Sequence, residues 1–521
     1  MKRIGIDVGG TNTDAVLIGP DGVEVSVKTH TMADVSSGVV ASIRALAEQA
    51  RLDDTIAGVM VGTTHFINAV VQRRDLSKVG AIRIGSPATD ALPPFCDWPE
   101  DLAKLVNGGA WAVEGGRDYD GRPFLPLDRA AVKAVAREIR ARELTSVAIT
   151  GMFSPLDPSE EEEAASVIRD IVPGIHVTCS YQLGRIGLLE RENAALMNAA
   201  LIRLATHTVR GFEQAIADVG ISAQLFITQN DGTVIDAARA IDLPVYSFAS
   251  GATNSMRGAA YLSKIDDAIV ADVGGTTTDF GSLNHGFPRE ANTVVKVGGI
   301  RTLFRMPDVS SIGLGGGSVV DLEALTIGPR SVGYKLSKEA RVFGGDQLTM
   351  TDIAVAAGLL DIGDRSRVAG IGAKTVDAVL ATVRSMLESS IDRVKTSPDP
   401  VTLIAVGGGA MLVPDKLEGI KDVVRVEHGG CANAVGAAIA NVSGEVDQVF
   451  QGVDRADAIA EASRLASQRA VEAGADETSL RTIETEDIPI AYLPGNAIRV
   501  RVRVIGDIKN DGMPLVGQAA E

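Results

Sequence analysis

The chain of 521 residues is poor in cysteine, in aromatic residues and in net positive charge. Its three cysteines, Cys96, Cys179 and Cys431, lie far apart and form no C-x-x-C pair. Such an odd, dispersed set predicts reduced thiols and argues against a disulfide framework or a cysteine-based zinc site. The chain has 67 acidic and 50 basic residues, which gives a formal net charge of -17. Nucleic-acid binders usually carry a basic surface, so we expect no nucleic-acid partner.

Long apolar runs are also missing from the sequence. No segment is apolar for long enough to cross a bilayer, and Asp7 interrupts the first apolar run too early for a signal peptide. These absences predict a soluble, cytoplasmic protein without membrane contact. The six histidines show no metal-ligand spacing, and no G-x-S-x-G nucleophile motif occurs. With 45% hydrophobic residues, the chain is long enough for two or more domains with cores of their own.

One phrase occurs twice. Residues 7–14 read DVGGTNTD, and residues 272–279 read DVGGTTTD, which is a separation of 272 minus 7, or 265, residues. Each copy lies between two short apolar runs, a pattern that predicts a strand, a tight glycine turn and a second strand. Glycine lets the backbone of such a hairpin tip approach a phosphate closely. Two tips, one in each half of the chain, would bind a polyphosphate and its metal ion from opposite sides.

The remaining pattern is an alternation of strands and helices, among them strands at 224–228 and 401–405 and a long helix at 184–205, which predicts doubly wound α/β layers. We expect one domain at 1–185 with an inserted loop region at about 87–126, a second domain at 186–445 and a C-terminal extension at 446–521. The inserted region contains both tryptophans and is either a binding loop or a structural cover. The extension includes an apparent strand at 498–504 whose alternating arginines predict one solvated face.

Further segments lie around the second copy in a fixed order: 229–232 (QNDG) before it, and 311–318 (SIGLGGGS) and 326–333 (TIGPRSVG) after it. This series resembles the hydantoinase A / 5-oxoprolinase family, which includes the acetone carboxylase β subunit. That family is part of the superfamily of actin, hexokinase and the heat-shock chaperone ATPases. The resemblance implies two ribonuclease-H-like domains of the actin-like ATPase type that close on a nucleotide. Residues 334–343 depart from the longer oxoprolinase type, so the sequence resembles a shorter branch.

The resemblance and the chemistry of the repeat indicate ATP and Mg²⁺ as cofactors. Asp7 and Asp272, at the strand ends, would hold Mg²⁺ through water and orient the attack on the γ-phosphate, as catalytic residues and metal ligands. Alternatively, each acid only caps its own glycine turn. For Asp14 and Asp279, the favoured interpretation is that they hold the hairpin together through local hydrogen bonds. The phosphate contacts are expected from Gly9, Gly10, Thr11, Asn12, Thr13, Gly274, Gly275, Thr276 and Thr277.

Two other turns are candidate binding segments. Gly407, Gly408 and Gly409 follow an apolar strand, and the resemblance implies that this turn contacts the adenosine or its ribose. The turn at 315–318 is part of either a substrate cleft or a domain hinge.

A strand-to-helix junction contains Thr63, Thr64, His65 and Asn68, where free helix amides favour an anion or a polar substrate. Thr63 would alternatively serve only as the helix N-cap.

The leading functional hypothesis is an ATP-dependent hydrolase subunit. The resemblance implies that such a subunit phosphorylates, and so activates, a cyclic amide (a hydantoin, 5-oxoproline or a related lactam) for ring opening. A hydantoinase B-like or other partner subunit would complete the hydrolysis, and we expect an oligomer. A small-molecule kinase and a non-catalytic, nucleotide-gated assembly protein are the alternatives.

Overall fold

A computed structural model describes residues 2–9, 12–30, 35–52, 55–183, 186–291, 295–304, 306–491 and 496–509. The strands in these ranges are β1 (Lys2–Val8), β2 (Asn12–Gly19), β3 (Gly22–His30), β4 (Ile56–Thr63), β5 (Val79–Ser86), β6 (Asn107–Glu114), β7 (Ser146–Gly151), β8 (His176–Cys179), β9 (Gln224–Thr228), β10 (Val234–Asp236), β11 (Ala268–Val273), β12 (Thr278–Asn284), β13 (Phe287–Pro288), β14 (Val295–Val297), β15 (Ile300–Thr302), β16 (Val309–Ile312), β17 (Ser318–Asp321), β18 (Thr326–Ser331), β19 (Val401–Val406), β20 (Ile420–Arg425), β21 (Val442–Phe450), β22 (Arg481–Pro489) and β23 (Ile498–Gly506).

The α-helices in the same ranges are α1 (Val35–Ala47), α2 (His65–Gln72), α3 (Glu100–Val106), α4 (Arg129–Ala141), α5 (Ser159–Ile171), α6 (Leu188–Asp218), α7 (Ala237–Asp242), α8 (Ser250–Ser263), α9 (Leu336–Glu339), α10 (Met350–Ala356), α11 (Ala373–Val394), α12 (Ala432–Ala438) and α13 (Arg455–Glu472). None of the helices in the described ranges has the length and apolarity that crossing a bilayer requires.

The first large sheet has nine strands in the order β22-β23-β21-β10-β9-β4-β1-β2-β3. β1 is antiparallel to β2 and parallel to β4, which is itself parallel to β9. Ile4 and Ile6 of β1 are fully buried, as expected of β-branched residues on a packed strand. Residues beyond 445 contribute β22, β23 and most of β21 to this sheet. The domain boundaries near 185 and 445 stay predictions.

The second large sheet repeats the strand order of the first around its own hairpin. Its strands run β13-β12-β11-β19-β20, and β16 also pairs with β12. β11 is antiparallel to β12 and parallel to β19, and β19 is parallel to β20. An antiparallel hairpin followed by parallel strands is therefore common to both sheets, as expected of two ribonuclease-H-like domains. The predicted α/β class is confirmed.

A smaller parallel sheet, with the order β6-β5-β7-β8, lies between α2 and α6 in the chain. α3 and β6 lie within residues 87–126, which the sequence suggested to be an inserted loop. That suggestion is wrong for these residues, because the glycine pair at 108–109 lies inside a strand and does not end one. Across this sheet, the buried side chain of Arg83 pairs with that of Glu192 on α6.

The predicted solvated face of the C-terminal strand is also wrong. Arg501 and Arg503 are only 5% and 4% exposed. β23 lies between β21 and β22, so acidic side chains surround both guanidinium groups, and Glu290 and Glu484 each pair with both arginines. The alternation of apolar and charged residues is the same for a solvated face and for a face covered by ion pairs.

Helices α8 and α12 pack tightly against each other between the two large sheets. α8 contacts β4 in the first sheet and β11, β12 and β19 in the second. At the crossing, a Cβ atom on Gly258 would lie 1.9 Å from the carbonyl oxygen of Ala432, and one on Gly436 would lie 1.8 Å from that of Asn254. Glycine is therefore required at both positions. This close packing brings polar side chains of both helices to the hairpins.

Candidate active site

The two repeated phrases form equivalent hairpins. In the first, Asp7 pairs across the strands with Asp14, and in the second Asp272 pairs with Asp279. The turn is closed in the same way in each: the amide of Gly9 donates to the carbonyl of Asn12 at 3.1 Å, and the amide of Gly274 donates to that of Thr277 at 2.9 Å. Two of the predicted phosphate-contacting residues, Gly10 and Thr11, lie outside the described residues. The other hairpin positions, Gly9, Asn12, Thr13, Gly274, Gly275, Thr276 and Thr277, lie at or beside the two tips.

A parallel strand ends beside each hairpin acid. β4 places Gly62 beside Asp7, and β19 places Val406 beside Asp272. The predicted glycine turn at 407–409 therefore begins at the second hairpin. A Cβ atom on Gly407, whose φ is +85°, would lie 2.4 Å from Oδ1 of Asp272, so only glycine fits. The amide of Gly409 donates to the carbonyl of Val273 at 2.8 Å.

Gly408 is the open position of this turn. A Cβ atom on Gly408 would meet nothing within 4 Å. The backbone there leaves room for an approaching group, whereas Gly407 and Gly409 are packed against the hairpin.

The two acids carry poorly compensated negative charge. Burial, together with the charges of Asp14 and Asp272, raises the pKa of Asp7 from 3.8 to about 7. Asp272 is partly exposed as a residue, but its carboxylate is desolvated, and this desolvation and the charge of Asp279 raise its pKa to about 6. The acids of the two hairpins are therefore close enough for each site to respond to the charge of the other.

This charge distribution fits a divalent cation held together with further oxygen ligands. Within the described part of the chain, no three His, Cys, Asp or Glu side chains come together as a complete metal cage. Mg²⁺ is usually bound by one or two carboxylates together with phosphate oxygens and water. The donor set at the hairpins therefore suits a cation that arrives with a phosphate ligand.

The glycine turn at 315–318 packs against the backbone of the second hairpin tip. The amide of Gly316 donates to the carbonyl of Gly274 at 3.1 Å, and that of Gly317 to the carbonyl of Gly275 at 2.7 Å. A Cβ atom on Gly315 would lie 2.6 Å from the amide nitrogen of Thr276. These contacts fix the backbone of the hairpin tip. A role of this turn in a substrate cleft or a domain hinge stays a prediction.

Comparison with known proteins agrees with this architecture. Residues 3–172 match the hydantoinase/oxoprolinase N-terminal region, and residues 191–364 match the hydantoinase/oxoprolinase domain that follows it. The chain belongs to the hydantoinase/oxoprolinase family. The resemblance predicted from the motif order is thereby confirmed.

Curated relatives of this family member are distant. It is 26% identical over 432 residues to the caprolactamase subunit alpha of Pseudomonas jessenii, covering 75% of this chain and 60% of the relative. It is 24% identical over 447 residues to the acetone carboxylase beta subunit of Xanthobacter autotrophicus, covering 75% and 59%. An uncharacterised protein of Methanocaldococcus jannaschii is 25% identical over 389 residues, covering 69% and 57%. The chain thus spans only 57% to 60% of the length of these relatives.

Solved structures share the fold over nearly the whole chain. The ATP-dependent caprolactamase of Pseudomonas jessenii superposes with a TM-score of 0.78 at 20% identity, covering 100% of this chain and 89% of the other. Nucleotide-free acetone carboxylase superposes with a TM-score of 0.70 at 18% identity, covering 98% and 88%. At these identities the likeness establishes a common fold.

Four side chains at the hairpins of this hydantoinase/oxoprolinase family member were not predicted from the sequence. Nδ2 of Asn433, on α12, donates to Oδ2 of Asp7 at 3.2 Å. Nζ of Lys28, on β3, donates to both carboxylate oxygens of Asp14 at 2.5 and 2.7 Å. On α8, Asn254 packs beside Gly62 close to Asp7, and the Ser255 hydroxyl lowers the pKa of Asp272.

The strand-to-helix junction after β4 also lies at the first hairpin, because Thr63 pairs with Val8. Thr63 is buried, and its hydroxyl accepts a hydrogen bond from the amide of His65 at 3.1 Å. The N-cap of α2 is Thr64, so the alternative that Thr63 is the N-cap is wrong. Nδ2 of Asn68 donates to the Thr64 hydroxyl at 3.2 Å. Burial lowers the pKa of His65. A substrate role for Thr63, Thr64, His65 and Asn68 stays a prediction.

Proposed function

We propose that this chain binds Mg-ATP between its two hairpins and transfers the γ-phosphoryl group to the carbonyl oxygen of a cyclic amide. The observation that carries this proposal is the equivalence of the hairpins: the same residue pairing, the same turn hydrogen bond, and two acids close enough for the charge of Asp272 to raise the pKa of Asp7. The relatives support it, since one structure with a TM-score of 0.78 is an ATP-dependent caprolactamase.

The proposed contacts follow from the positions of the residues. Asp7 and Asp272 would hold Mg²⁺, which would neutralise charge on the phosphate oxygens during transfer. The hairpin backbones, including the amides of Gly275 and Thr276, would cradle the phosphates. The open backbone at Gly408 would face the nucleoside side of ATP, since nothing lies within 4 Å of a Cβ atom built there.

The proposed chemistry overcomes the resonance stability of an amide. The amide oxygen attacks the γ-phosphorus, the bond from that phosphorus to the bridging oxygen breaks, and ADP leaves. Water then adds to the activated carbon, the ring C–N bond breaks, and the resulting acyl phosphate is hydrolysed. We assign the hydrolytic steps to a hydantoinase B-like partner subunit, because the relatives are named as subunits. Exclusion of water from the hairpin site would limit wasteful ATP hydrolysis.

A related candidate substrate is a ketone. The acetone carboxylase beta subunit is 24% identical to the chain over 75% of its length. A ketone also offers a carbonyl oxygen to the γ-phosphorus, after loss of an α-proton, so the same hairpin site would serve both substrate classes.

ADP release by the purified chain with Mg-ATP tests the proposal. Lactams, hydantoins and simple ketones are added in turn, with and without a co-purified partner subunit. We expect one substrate class to stimulate ADP release and Asp7→Asn and Asp272→Asn each to abolish the stimulation. Asp21→Asn, a change to an exposed acid in the turn between β2 and β3, is the matched control. Tight ATP binding without stimulation by any carbonyl compound would instead favour a nucleotide-gated assembly protein.

A further inference from the structure

Two helices begin close together beside the first hairpin. Thr64, the N-cap of α2, directly follows Thr63, which pairs with Val8 at the end of β1. α8 begins at Ser250, and a Cβ atom on Gly251 would lie 3.6 Å from Cγ2 of Thr64. The starts of α2 and α8 therefore face each other next to the hairpin that the proposed function places at the phosphates of ATP.

Backbone N–H groups at both helix starts are unused. The N-cap of α8 is Ala249, which has no polar side chain, and no hydrogen bond within the described ranges uses the amides of residues 250–252. In the same part of the chain, the amides of Phe66 and Ile67 at the start of α2 are also unused. Such amides attract acceptor oxygens, because the helix dipole adds to their own hydrogen-bonding capacity.

A buried hydroxyl group at the start of α8 also lacks a partner. Ser250 is 0% exposed, and its Oγ has no hydrogen-bond partner among the described residues. It lies four residues before Asn254, on the same face of α8. Nδ2 of Asn254 donates to Oγ1 of Thr228 at the end of β9, and a Cβ atom on Gly62 of β4 would lie 2.7 Å from that nitrogen. The Ser250 hydroxyl therefore lies on the face of α8 that is turned to the strand ends where α2 begins.

An unsatisfied buried hydroxyl group beside unused amides is unfavourable unless a ligand supplies an acceptor. The reacting amide oxygen is poorly suited to this place, because several donors would withdraw electron density from it and slow its attack on the γ-phosphorus. The donors instead suit an oxygen of the substrate that does not react.

We infer that the amides of residues 66–67 and 250–252, together with the hydroxyl of Ser250, form an acceptor site for a second oxygen of the cyclic amide. That oxygen belongs either to another ring carbonyl or to a carboxylate on the ring. The inference rests on the proposed function and narrows its substrate class to cyclic amides that carry such an oxygen, in preference to simple lactams.

Two matched pairs of compounds test the acceptor site. Glutarimide is 2-piperidone with a second ring carbonyl, and 5-oxoproline is 2-pyrrolidone with a carboxylate. Each compound is titrated calorimetrically into the full chain in the presence of Mg-ADP. In at least one pair, the member with the second oxygen should bind about tenfold or more tightly than its parent, because a site that donates hydrogen bonds rejects the analogue without the acceptor. That pair also identifies the oxygen as carbonyl or carboxylate. Equal affinities within both pairs, or no binding by any of the four compounds, would overturn the inference.

Substitutions at the start of α8 make the test specific to this site. Ser250→Ala removes the hydroxyl, and Gly251→Ala adds a methyl group in front of the unused amides. The new Cβ of Gly251→Ala meets Thr64 at an ordinary van der Waals distance, so this variant should fold. Both variants should reduce the difference in affinity within the pair to about threefold or less, a ratio that a merely structural role would not change.

Ser263→Ala, at the other end of α8, is the matched control. The Ser263 hydroxyl donates to the carbonyl oxygen of Ala260 at 3.4 Å, so its loss should leave the difference in affinity within the pair unchanged. Melting temperatures show whether each variant folds, and Gly251→Ala decides if Ser250→Ala does not fold. A difference retained in the folded site variants, or lost equally in Ser263→Ala, would overturn the inference.

The two proposals fail in different ways. Absence of ADP binding, measured in the same calorimeter, would refute the nucleotide site, whereas a difference within a pair that depends on Ser250 would still establish the acceptor site. ADP binding without such a difference would refute the acceptor site and leave the proposed function intact.

Discussion

Replacing Asp7 with asparagine should stabilise the ligand-free chain at alkaline pH. Asp7 is 7% exposed, and burial with neighbouring negative charge raises its pKa from 3.8 to about 7. The folded state therefore binds this proton more tightly than the unfolded chain does. The contribution of Asp7 to stability is thus complete below about pH 4 and is lost as the pH rises through about 7. Asparagine has no such titration.

The magnitude follows from the two pKa values. A tenfold change in proton affinity corresponds to about 1.4 kcal/mol, so the interval from 3.8 to about 7 gives an upper limit of about 4 kcal/mol. Between about pH 5 and about pH 8, the free energy of unfolding of the natural chain should fall by about 3 kcal/mol relative to that of Asp7→Asn. Asn433 can still donate to the side-chain oxygen of an asparagine, so the local packing is kept.

Urea unfolding in the presence of EDTA, without nucleotide, measures this difference at the two pH values. The control is Asp21→Asn, which removes an exposed carboxylate and should follow the natural chain. Addition of Mg-ADP should stabilise the natural chain more than Asp7→Asn, because a ligand stabilises only the state that binds it. A free-energy difference between the natural chain and Asp7→Asn that does not vary with pH would refute the claim that this carboxylate is desolvated.

Two further pairs of substitutions test other parts of the structure. Arg83→Met should cost about 3 to 5 kcal/mol in urea unfolding, because it leaves the carboxylate of Glu192 buried without its partner, and adding Glu192→Leu should restore most of this. Gly407→Ala should lower the free energy of unfolding by about 1 to 3 kcal/mol, since the new Cβ would displace Asp272 and alanine is strained at a φ of +85°, whereas Gly408→Ala should leave it nearly unchanged because its Cβ meets no protein atom. Urea unfolding compares the two alanine variants, and equal losses of stability would contradict the packing at Gly407.

The hairpins could be predicted from the sequence because everything that forms them is local. A glycine turn between two short apolar runs needs no information from elsewhere in the chain. The predicted strand at 224–228 coincides with β9, and the predicted strand at 401–405 differs from β19 by one residue. The helix predicted at 184–205 was too short, since α6 continues to Asp218 in the interior of the first core.

The partner of Asp14 shows why the charge pattern could not be predicted. Near the turn, β2 and β3 pair Gly19 with Gly22 and Ile18 with Val23. Continued without interruption, this register would place Val27 opposite Asp14. An irregularity between Leu17 and Ile18 shifts the pairing by one residue and brings Lys28 there. Because a one-residue shift exchanges the two faces of a strand, the contact depends on a bulge that the turn sequence does not reveal.

The contact between Asn433 and Asp7 could not be predicted from the sequence for a different reason. It lies 426 residues from Asp7 and reaches it only because α12 packs closely on β1. A Cβ atom on Gly5 would lie 2.0 Å from the carbonyl oxygen of Ala434, so a glycine in the strand permits this approach. The absence of a side chain at Gly5 therefore allows Asn433 to come within hydrogen-bonding distance of Asp7.

The same two helices that pack between the sheets also place polar side chains beside the two acids. Asn433 of α12 binds Asp7, and Ser255 of α8 lowers the pKa of Asp272. α8 and α12 are in van der Waals contact at Gly258 and Gly436, where no side chain fits. A shift of one sheet against the other must therefore move one of these polar side chains relative to an acid, because tightly packed helices move as units. Charge at the hairpins and the arrangement of the sheets are coupled through this helix pair.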